Sequence, residues 1–446
     1  MWLLDTTSLE LVDIVNTSNI KYAILSHMWE DEEVSFAELH EHRSFAEGKK
    51  GFAKINSCCQ IAKIALGLDY AWIDTCCIDK RSSAELSEAI NSMYKWYQEA
   101  YVCLVYLRDV GPPREGEDGR SQQLEELQSS RWFTRGWTLQ ELLAPPNLIY
   151  LAADWSVVGG TGRSPRDRGY KYIATSVAEA AGIPEDALVS YTRPPQRCIA
   201  QVMSWAAGRQ TTRGEDMAYS LMGLFNVNMP ILYGEGATKA FHRLQQELLS
   251  ISSDQSILAW ARVEISKSAG FSFLADSPLD FLLAQTPGIP ATVQQRTESL
   301  EPHAMTNIGL SISMRLDPDF ELEDRTSWVL ESTSEPVVAE LQCSLWKGGK
   351  SVCLAILLEP ILGANVSING VPRQAFQRIA RHWLIQVPEH HFDGRPYEQV
   401  IILRDELVFK AQILASDARE ELERKVGYHK SPSTKDKLKN IVHRFR

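Results

Sequence analysis

The sequence predicts an α/β fold for residues 1–155, a parallel sheet flanked by helices. Three observations carry that prediction. Tyr22–Leu25, Tyr70–Ile73 and Tyr101–Leu107 are short, continuous apolar runs, the pattern of strands buried on both faces. The segments between them have helical periodicity. Each run also stops at polar residues: Ser26-His27, Asp74 and Arg108-Asp109. Strand and helix alternating in this way argue for a doubly wound parallel sheet.

Taken in order, Tyr22–Leu25 is the first strand. A helix is expected over Gly51–Leu66, with Ile55, Cys58, Cys59, Ala62 and Ala65 on one face. Tyr70–Ile73 is the second strand, ending at Asp74. Ser82 and Glu85 have capping-box spacing before a helix that repeats Leu86, Ile90, Met93 and Tyr97. Tyr101–Leu107 is the third strand, and 112–119 reads as a charged loop. Within Arg131–Leu143 the second half should be helical, stopped by Pro145-Pro146. Leu148–Leu151 is a further strand. Residues 155–165 are glycine-rich and read as a surface connection. Residues 156–260 are mainly helical, including Met217–Phe225 and Lys239–Ser250. Residues 261–446 turn strand-like at Leu310–Met314, Val352–Leu357 and Val400–Ile402-Leu403, a mostly β module. Lys425–Arg446 is basic, a solvated tail or a contact for an acidic surface.

Composition narrows the function classes. The chain has 446 residues, 44% hydrophobic and 23% charged, so it can bury sizeable cores and is neither disordered nor fibrous. A net charge of -11 gives no overall basic character, and no nucleic-acid partner is expected. Eight cysteines are too sparse for a disulfide scaffold. Met1–Thr6 is not a signal peptide, and no run of about 18 apolar residues would span a membrane. A cytoplasmic location is expected.

Candidate chemistry sits where open α/β sheets bind ligands, outside the carboxyl ends of the strands. Ser26, His27, Asp74 and Asp109 are placed there, although polar residues at strand ends suit any globular fold. Glu141 lies in an apolar helix between Leu139 and Leu142-Leu143. A carboxylate is costly to bury there without a partner. The plainer alternative is an exposed helix Glu, or one paired with Arg131 or Arg135. Cys76 or Cys77 with His27 would make a nucleophile and base, against a reading of both cysteines as small core residues. His390-His391 near Asp393 would suit a metal or simply a surface loop, and no metal site is expected. Gly159–Gly162 does not fit a dinucleotide fingerprint, and Gly234–Lys239 lacks P-loop spacing and more plainly turns the chain into a helix.

Together these segments resemble a known family. Tyr22-Ala23-Ile24-Leu25-Ser26-His27-Met28-Trp29, Trp72-Ile73-Asp74-Thr75-Cys76-Cys77-Ile78-Asp79-Lys80 and Arg135-Gly136-Trp137-Thr138-Leu139-Gln140-Glu141-Leu142 are similar to the three motifs of the fungal heterokaryon incompatibility (HET) domain. Thr211–Tyr219 through Asn228–Gly236 resembles the region that often follows such domains. The resemblance covers about residues 1–260. It departs at Met28 and Glu30, where the family pattern has Thr and Gly, and losing that Gly is expected to alter the loop after the first strand.

The resemblance implies non-self recognition and programmed cell death in filamentous fungi, a form of innate immunity. HET domains are distantly similar to TIR domains, which implies a TIR-like (flavodoxin-like) sheet. It also implies an NAD(P) glycohydrolase activity. Trp137-Thr138-Leu139-Gln140-Glu141 matches the W-x-x-x-E spacing that carries the catalytic Glu of NAD-cleaving TIR domains. On this resemblance Glu141 is catalytic, and Ser26, His27, Trp29, Asp74, Arg135 and Trp137 shape the nucleotide pocket. NAD or NADP is the substrate and no further cofactor is required. Self-association or a protein activator is the expected partner, and the β-rich module is expected to restrain or sense. The alternative is a non-enzymatic death-signalling module in which the three motifs mainly specify the fold.

Overall fold

The protein is described here from a computed structural model covering residues 1–17, 19–113, 116–162, 171–189, 197–262, 273–282, 292–296, 303–320, 335–347, 349–368, 371–379 and 384–404. The basic 425–446 segment lies outside the described residues.

Seven strands form the first sheet: β1 (Trp2–Asp5), β2 (Leu11–Asp13), β3 (Tyr22–His27), β4 (Tyr70–Trp72), β5 (Val102–Tyr106), β6 (Asn147–Leu151) and β7 (Val157–Gly162). Their order is β2-β1-β4-β3-β5-β6-β7. The central four, β4-β3-β5-β6, are mutually parallel, so along the chain they lie second, first, third, fourth. All six residues of β3 are buried, which explains its unbroken apolar run. Antiparallel strands close the two sides, β1 and β2 beyond β4, and β7 beyond β6.

The glycine-rich stretch is therefore not a surface connection. It is edge strand β7, and its glycines let it approach a neighbouring turn. Gly162 has φ 113°, and a Cβ there would lie 2.3 Å from the Pro146 carbonyl oxygen.

Helices α1 (Phe36–Glu41), α2 (Arg43–Glu47) and α3 (Lys50–Gln60) follow β3. Helix α4 (Ser83–Glu99) follows β4, and α5 (Gly116–Gln128) and α6 (Thr138–Leu143) follow β5. Helix α5 occupies part of the expected charged loop. The first expected helix holds as α3, burying Ile55, Cys58 and Cys59, but a π-type turn at Ile61–Ala65 shifts its register. Ala62 stays buried while Ala65 is exposed. Ser82 caps α4 through the Glu85 amide, but the Glu85 carboxylate accepts from the Asp79 amide instead of closing a reciprocal box.

The helical region holds α7 (Ala174–Ala181), α8 (Glu185–Val189), α9 (Ile199–Ala206), α10 (Asp216–Tyr219), α11 (Met222–Phe225) and α12 (Ala237–Ile251). Its loops are locked by side chains. The Glu215 carboxylate accepts from the amides of Gly234 (2.9 Å) and Gly236 (3.1 Å), and the Tyr233 hydroxyl donates to Asp216 at 2.9 Å.

The β module contains β8 (Thr292–Gln295), β9 (Ala304–Met305), β10 (Gly309–Asp317), β11 (Val337–Lys347), β12 (Lys350–Ile368), β13 (Val371–Ile379), β14 (Ile385–Val387) and β15 (Tyr397–Leu403). Strands β12-β13-β15-β10-β11 return to β12, a closed, barrel-like ring that removes its own edges. It is fastened to the helices: Arg378 donates to the carbonyls of Leu258 (3.0 Å) and Trp260 (2.6 Å), and Gln255 donates to that of Ser313 (3.0 Å). One apolar core runs from Leu3 in the sheet to Ile402 in the barrel. Among the described residues no helix is long and apolar enough to cross a membrane.

Candidate functional site

The carboxyl ends of β3 and β5 lie where the parallel strand order reverses, since the chain adds β4 on one side of β3 and β5 on the other. Ser26 and His27 end β3 there. Helix α6 delivers Glu141 to the same place. The helix follows a 3-10 turn at Arg131–Thr134, and it buries Leu139, Leu142 and Glu141 itself.

Glu141 is 7% exposed. Its Oε2 takes a short hydrogen bond from the Ser26 hydroxyl. Trp132 Nε1 donates to the same Ser26 oxygen at 2.8 Å, so the Ser26 proton is directed at the carboxylate. Tyr97 donates to the Leu25 carbonyl at 3.1 Å and also reaches Glu141. Burial pushes the Glu141 carboxyl up to about 8, and the Asp74 charge adds to this. The Ser26 and Tyr97 hydroxyls and the Arg135 charge pull the other way. Of the two plain alternatives, an exposed Glu is ruled out. The carboxylate's hydrogen bonds are to hydroxyls, not to an arginine.

A second group surrounds His27. Its Nε2 is 3.7 Å from Glu33 and its Nδ1 is 4.0 Å from Asp74, both too long for hydrogen bonds. His27 Nε2 and Asp74 Oδ1 are buried atoms without a hydrogen-bond partner among the described residues. Two such atoms on neighbouring side chains suit a ligand bearing hydroxyl groups. Glu33 pairs closely with Lys54, itself 8% exposed, and Lys54 also reaches Glu30 at 3.1 Å. Burial works to raise the Glu33 carboxyl, but His27 and Lys54 outweigh it and hold the group down to about 2. Trp29, 52% exposed, donates to Asp74 at 2.8 Å, with the Lys80 ammonium 3.8 Å from its ring centre.

The structure therefore brings Ser26, His27, Trp29, Asp74 and Glu141 together. Arg135 is half-buried behind α6, close enough to act on Glu141 by charge. Trp137 turns away and meets Asp216 of the helical region. Asp109 accepts from Ser130 (2.7 Å) and the Arg131 amide (2.8 Å), and so caps the 3-10 turn.

The Met28 and Glu30 departures are accommodated. Glu30 is not among the described residues with positive φ, so its place in the loop does not require glycine. Its carboxylate joins Lys54 to Arg108.

Cys76 and Cys77 fold back onto the Ile73 backbone as buried thiols, and burial holds the Cys76 thiol well above its usual range. His390 pairs with Asp393, and His391 with Asp317. Among the described residues no group of three or more His, Cys, Asp or Glu is placed to hold a metal.

Sequence reasoning missed Trp132, Tyr97, Glu33, Lys54 and Arg209. Only Lys54 left a usable signal, a lysine on the apolar stripe one turn before Cys58.

Residues 22–121 match the family model described as Heterokaryon incompatibility protein (HET). This segment carries the likeness to the HET family. The match takes in β3, β4 and β5 and ends before α6, so Glu141 lies beyond it. The chain is 41% identical over 244 residues to the vegetative incompatibility protein HET-E-1 of Podospora anserina. That alignment covers 54% of this chain but 17% of the relative's own length. No solved structure matches.

Proposed function

We propose that this chain acts in fungal non-self recognition, triggering cell death by hydrolysing the nicotinamide–ribose bond of NAD(P). The relative's name, vegetative incompatibility protein, supports the biological half. The chemical half rests on one observation: a buried Glu141 is bonded to Ser26 at the carboxyl end of the first parallel strand. The parallel order second-first-third-fourth is that of flavodoxin-like sheets, which supports the TIR-like reading.

The chemistry suits these residues. The bond between ribose C1′ and the pyridinium nitrogen breaks, and its electron pair goes to nicotinamide, which leaves neutral and unprotonated. Water adds to C1′ and loses a proton. The ribose passes through an oxocarbenium-like state that an ionised Glu141 stabilises. A cationic nicotinamide riboside beside Glu141 favours that ionised form. Ser26 holds the carboxylate, and His27 Nε2 and Asp74 Oδ1 meet ribose hydroxyls. Trp29 stands at the rim as a stacking surface, and in this reading its bond to Asp74 opens when substrate enters. Assembly of several copies, or a protein activator, supplies that opening.

The test is nicotinamide release from NAD and NADP, in separate arms, by the full chain and by Glu141→Gln, with a crowding agent to favour assembly. Release by the wild type and at least a hundredfold less by the variant is the expected outcome. Equal release by both would remove Glu141 from the chemistry. Cell killing that persists in Glu141→Gln would favour the non-enzymatic signalling module. The 7% exposure of Glu141, which suits a purely structural role, is the observation on that side. Removing residues 261–446 is a poor test of restraint by the barrel, because it would unroof the core they share with the helices.

A further inference from the structure

We propose that Arg209, beyond the sheet in the helical region, is the positioning residue that fixes the turn carrying Glu141 and brings a buried positive charge to the same helical turn. The inference deepens the reading of Glu141 as the reacting carboxylate, but the coupling it describes exists whether or not NAD is cleaved.

Arg209 follows α9 and is 5% exposed. Its Nε donates to the Trp205 carbonyl at 3.1 Å. Its Nη1 donates to the Arg135 carbonyl and to Thr138 Oγ1, both at 3.0 Å. Thr138 Oγ1 in turn donates to the carbonyls of Trp132 (2.7 Å) and Arg135 (2.8 Å). One guanidinium thus ties the end of the 3-10 turn to the first residue of α6, three positions before Glu141.

The next residue continues the fastening. The Gln210 amide donates to the Thr134 carbonyl at 2.7 Å, and the Gly136 amide donates to the Gln210 carbonyl at 2.8 Å. Residues 135 and 210 pair as a parallel bridge. Gly136 permits this approach, since a Cβ there would lie 2.4 Å from Thr211 Cγ2. The 244-residue likeness to the Podospora protein is too long to fit within the sheet region, so it extends into this part of the chain.

Arg209 forms no salt bridge among the described residues, and its Nη2 is buried without a hydrogen-bond partner. A buried cation with incomplete partners is costly. The groups that act on Glu141 are Ser26 from β3, Asp74 after β4, Tyr97 from α4 and Arg135 before α6, while Cys103 from β5 and Arg209 in turn feel the Glu141 charge. Asp74 opposes ionisation of Glu141, and Arg135 is half-exposed and screened by solvent. Arg209 is the buried cation of the set. Burial lowers its own pKa to about 10, and the Glu141 charge resists that fall.

The test uses the full chain and reads the pH at which Glu141 ionises. Stability is measured against pH for wild type and Glu141→Gln, and again for both in an Arg209→Met background. The difference within each pair isolates Glu141. In the wild-type background the transition is expected near pH 8. In Arg209→Met it is expected to lie higher, by up to about one pH unit. Arg209→Lys keeps charge but cannot span both acceptors, and serves if the methionine variant does not fold; a smaller upward shift is expected from it. An unmoved transition in whichever variant folds would overturn the inference. Nicotinamide release is assayed on the same proteins. No release by wild type with a shifted transition removes only the glycohydrolase reading, and intact release with an unmoved transition removes only this one.

Discussion

Two carboxylates flank the carboxyl end of β3, and their surroundings drive them in opposite directions. Glu141 stands behind Ser26, held by hydroxyls and an indole relay, and burial raises it to about 8. Glu33 stands beyond His27, against Lys54, and is held down to about 2. Both are largely out of water, so burial alone does not decide the outcome. The difference is a cation in direct contact. Glu33 has one, whereas Glu141 has Arg135 and Arg209 acting at a distance. Two acids whose environments separate their ionisation are the arrangement that lets one site hold a fixed charge beside a protonable group.

The largest expected effect comes from breaking the fixed-charge side. Lys54→Met leaves Glu33 and Glu30 facing each other without their shared cation. Removing one partner of a buried pair costs about 3–5 kcal/mol. Denaturant unfolding at neutral pH should show a loss of that size. A loss under about 1 kcal/mol would mean that the pair is solvated, and the contrast with Glu141 would collapse.

The pH dependence sharpens the same comparison, with opposite signs. Glu141 has a raised folded pKa, so between about 4.5 and 8 the unfolded chain has lost a proton that the folded chain keeps. Stability then falls with rising pH across that window, by at most about 1.4 kcal/mol per unit, and levels off above it. Glu141→Gln removes that slope. Glu33 has a lowered folded pKa, so its contribution is complete above about 4.5 and is lost as pH falls toward 2. Glu33→Gln flattens the acid limb and leaves the neutral one alone. Chemical unfolding of the three proteins from pH 3 to pH 9 checks both; matching slopes in wild type and Glu141→Gln would refute the raised value.

Much of the sheet was legible because β3 and β5 are buried on both faces and read as unbroken apolar runs. Strands β1, β2 and β7 were not legible. They are short or glycine-rich, and antiparallel partners brought in by the fold define them. Ser26 and Glu141 stood out because a strand end and a carboxylate in an apolar helix are local signals. Trp132 and Arg209 had no such signal. Trp132 acts on Ser26 across 106 positions and Arg209 on Thr138 across 71, so only the folded chain reveals their roles. Lys54 was legible but passed over, since a lysine on the apolar stripe of α3 already implied a buried ion pair.

The smallest expected effect on stability tests which side of the comparison a ligand would face. Trp29→Phe keeps an aromatic ring beside Lys80 but removes the indole donor to Asp74. Trp29 is 52% exposed, so solvent can replace that bond and the stability change should stay within about 1 kcal/mol. Freeing Asp74 Oδ2 also removes the bond that, in the proposed reading, must open for substrate to enter. Nicotinamide release should therefore rise, or need less crowding agent, while the pH at which Glu141 ionises stays in place. A large stability loss with unchanged release would instead make Trp29 part of the Glu33–Lys54 scaffold, where aromatic and ionic contacts serve the fold alone.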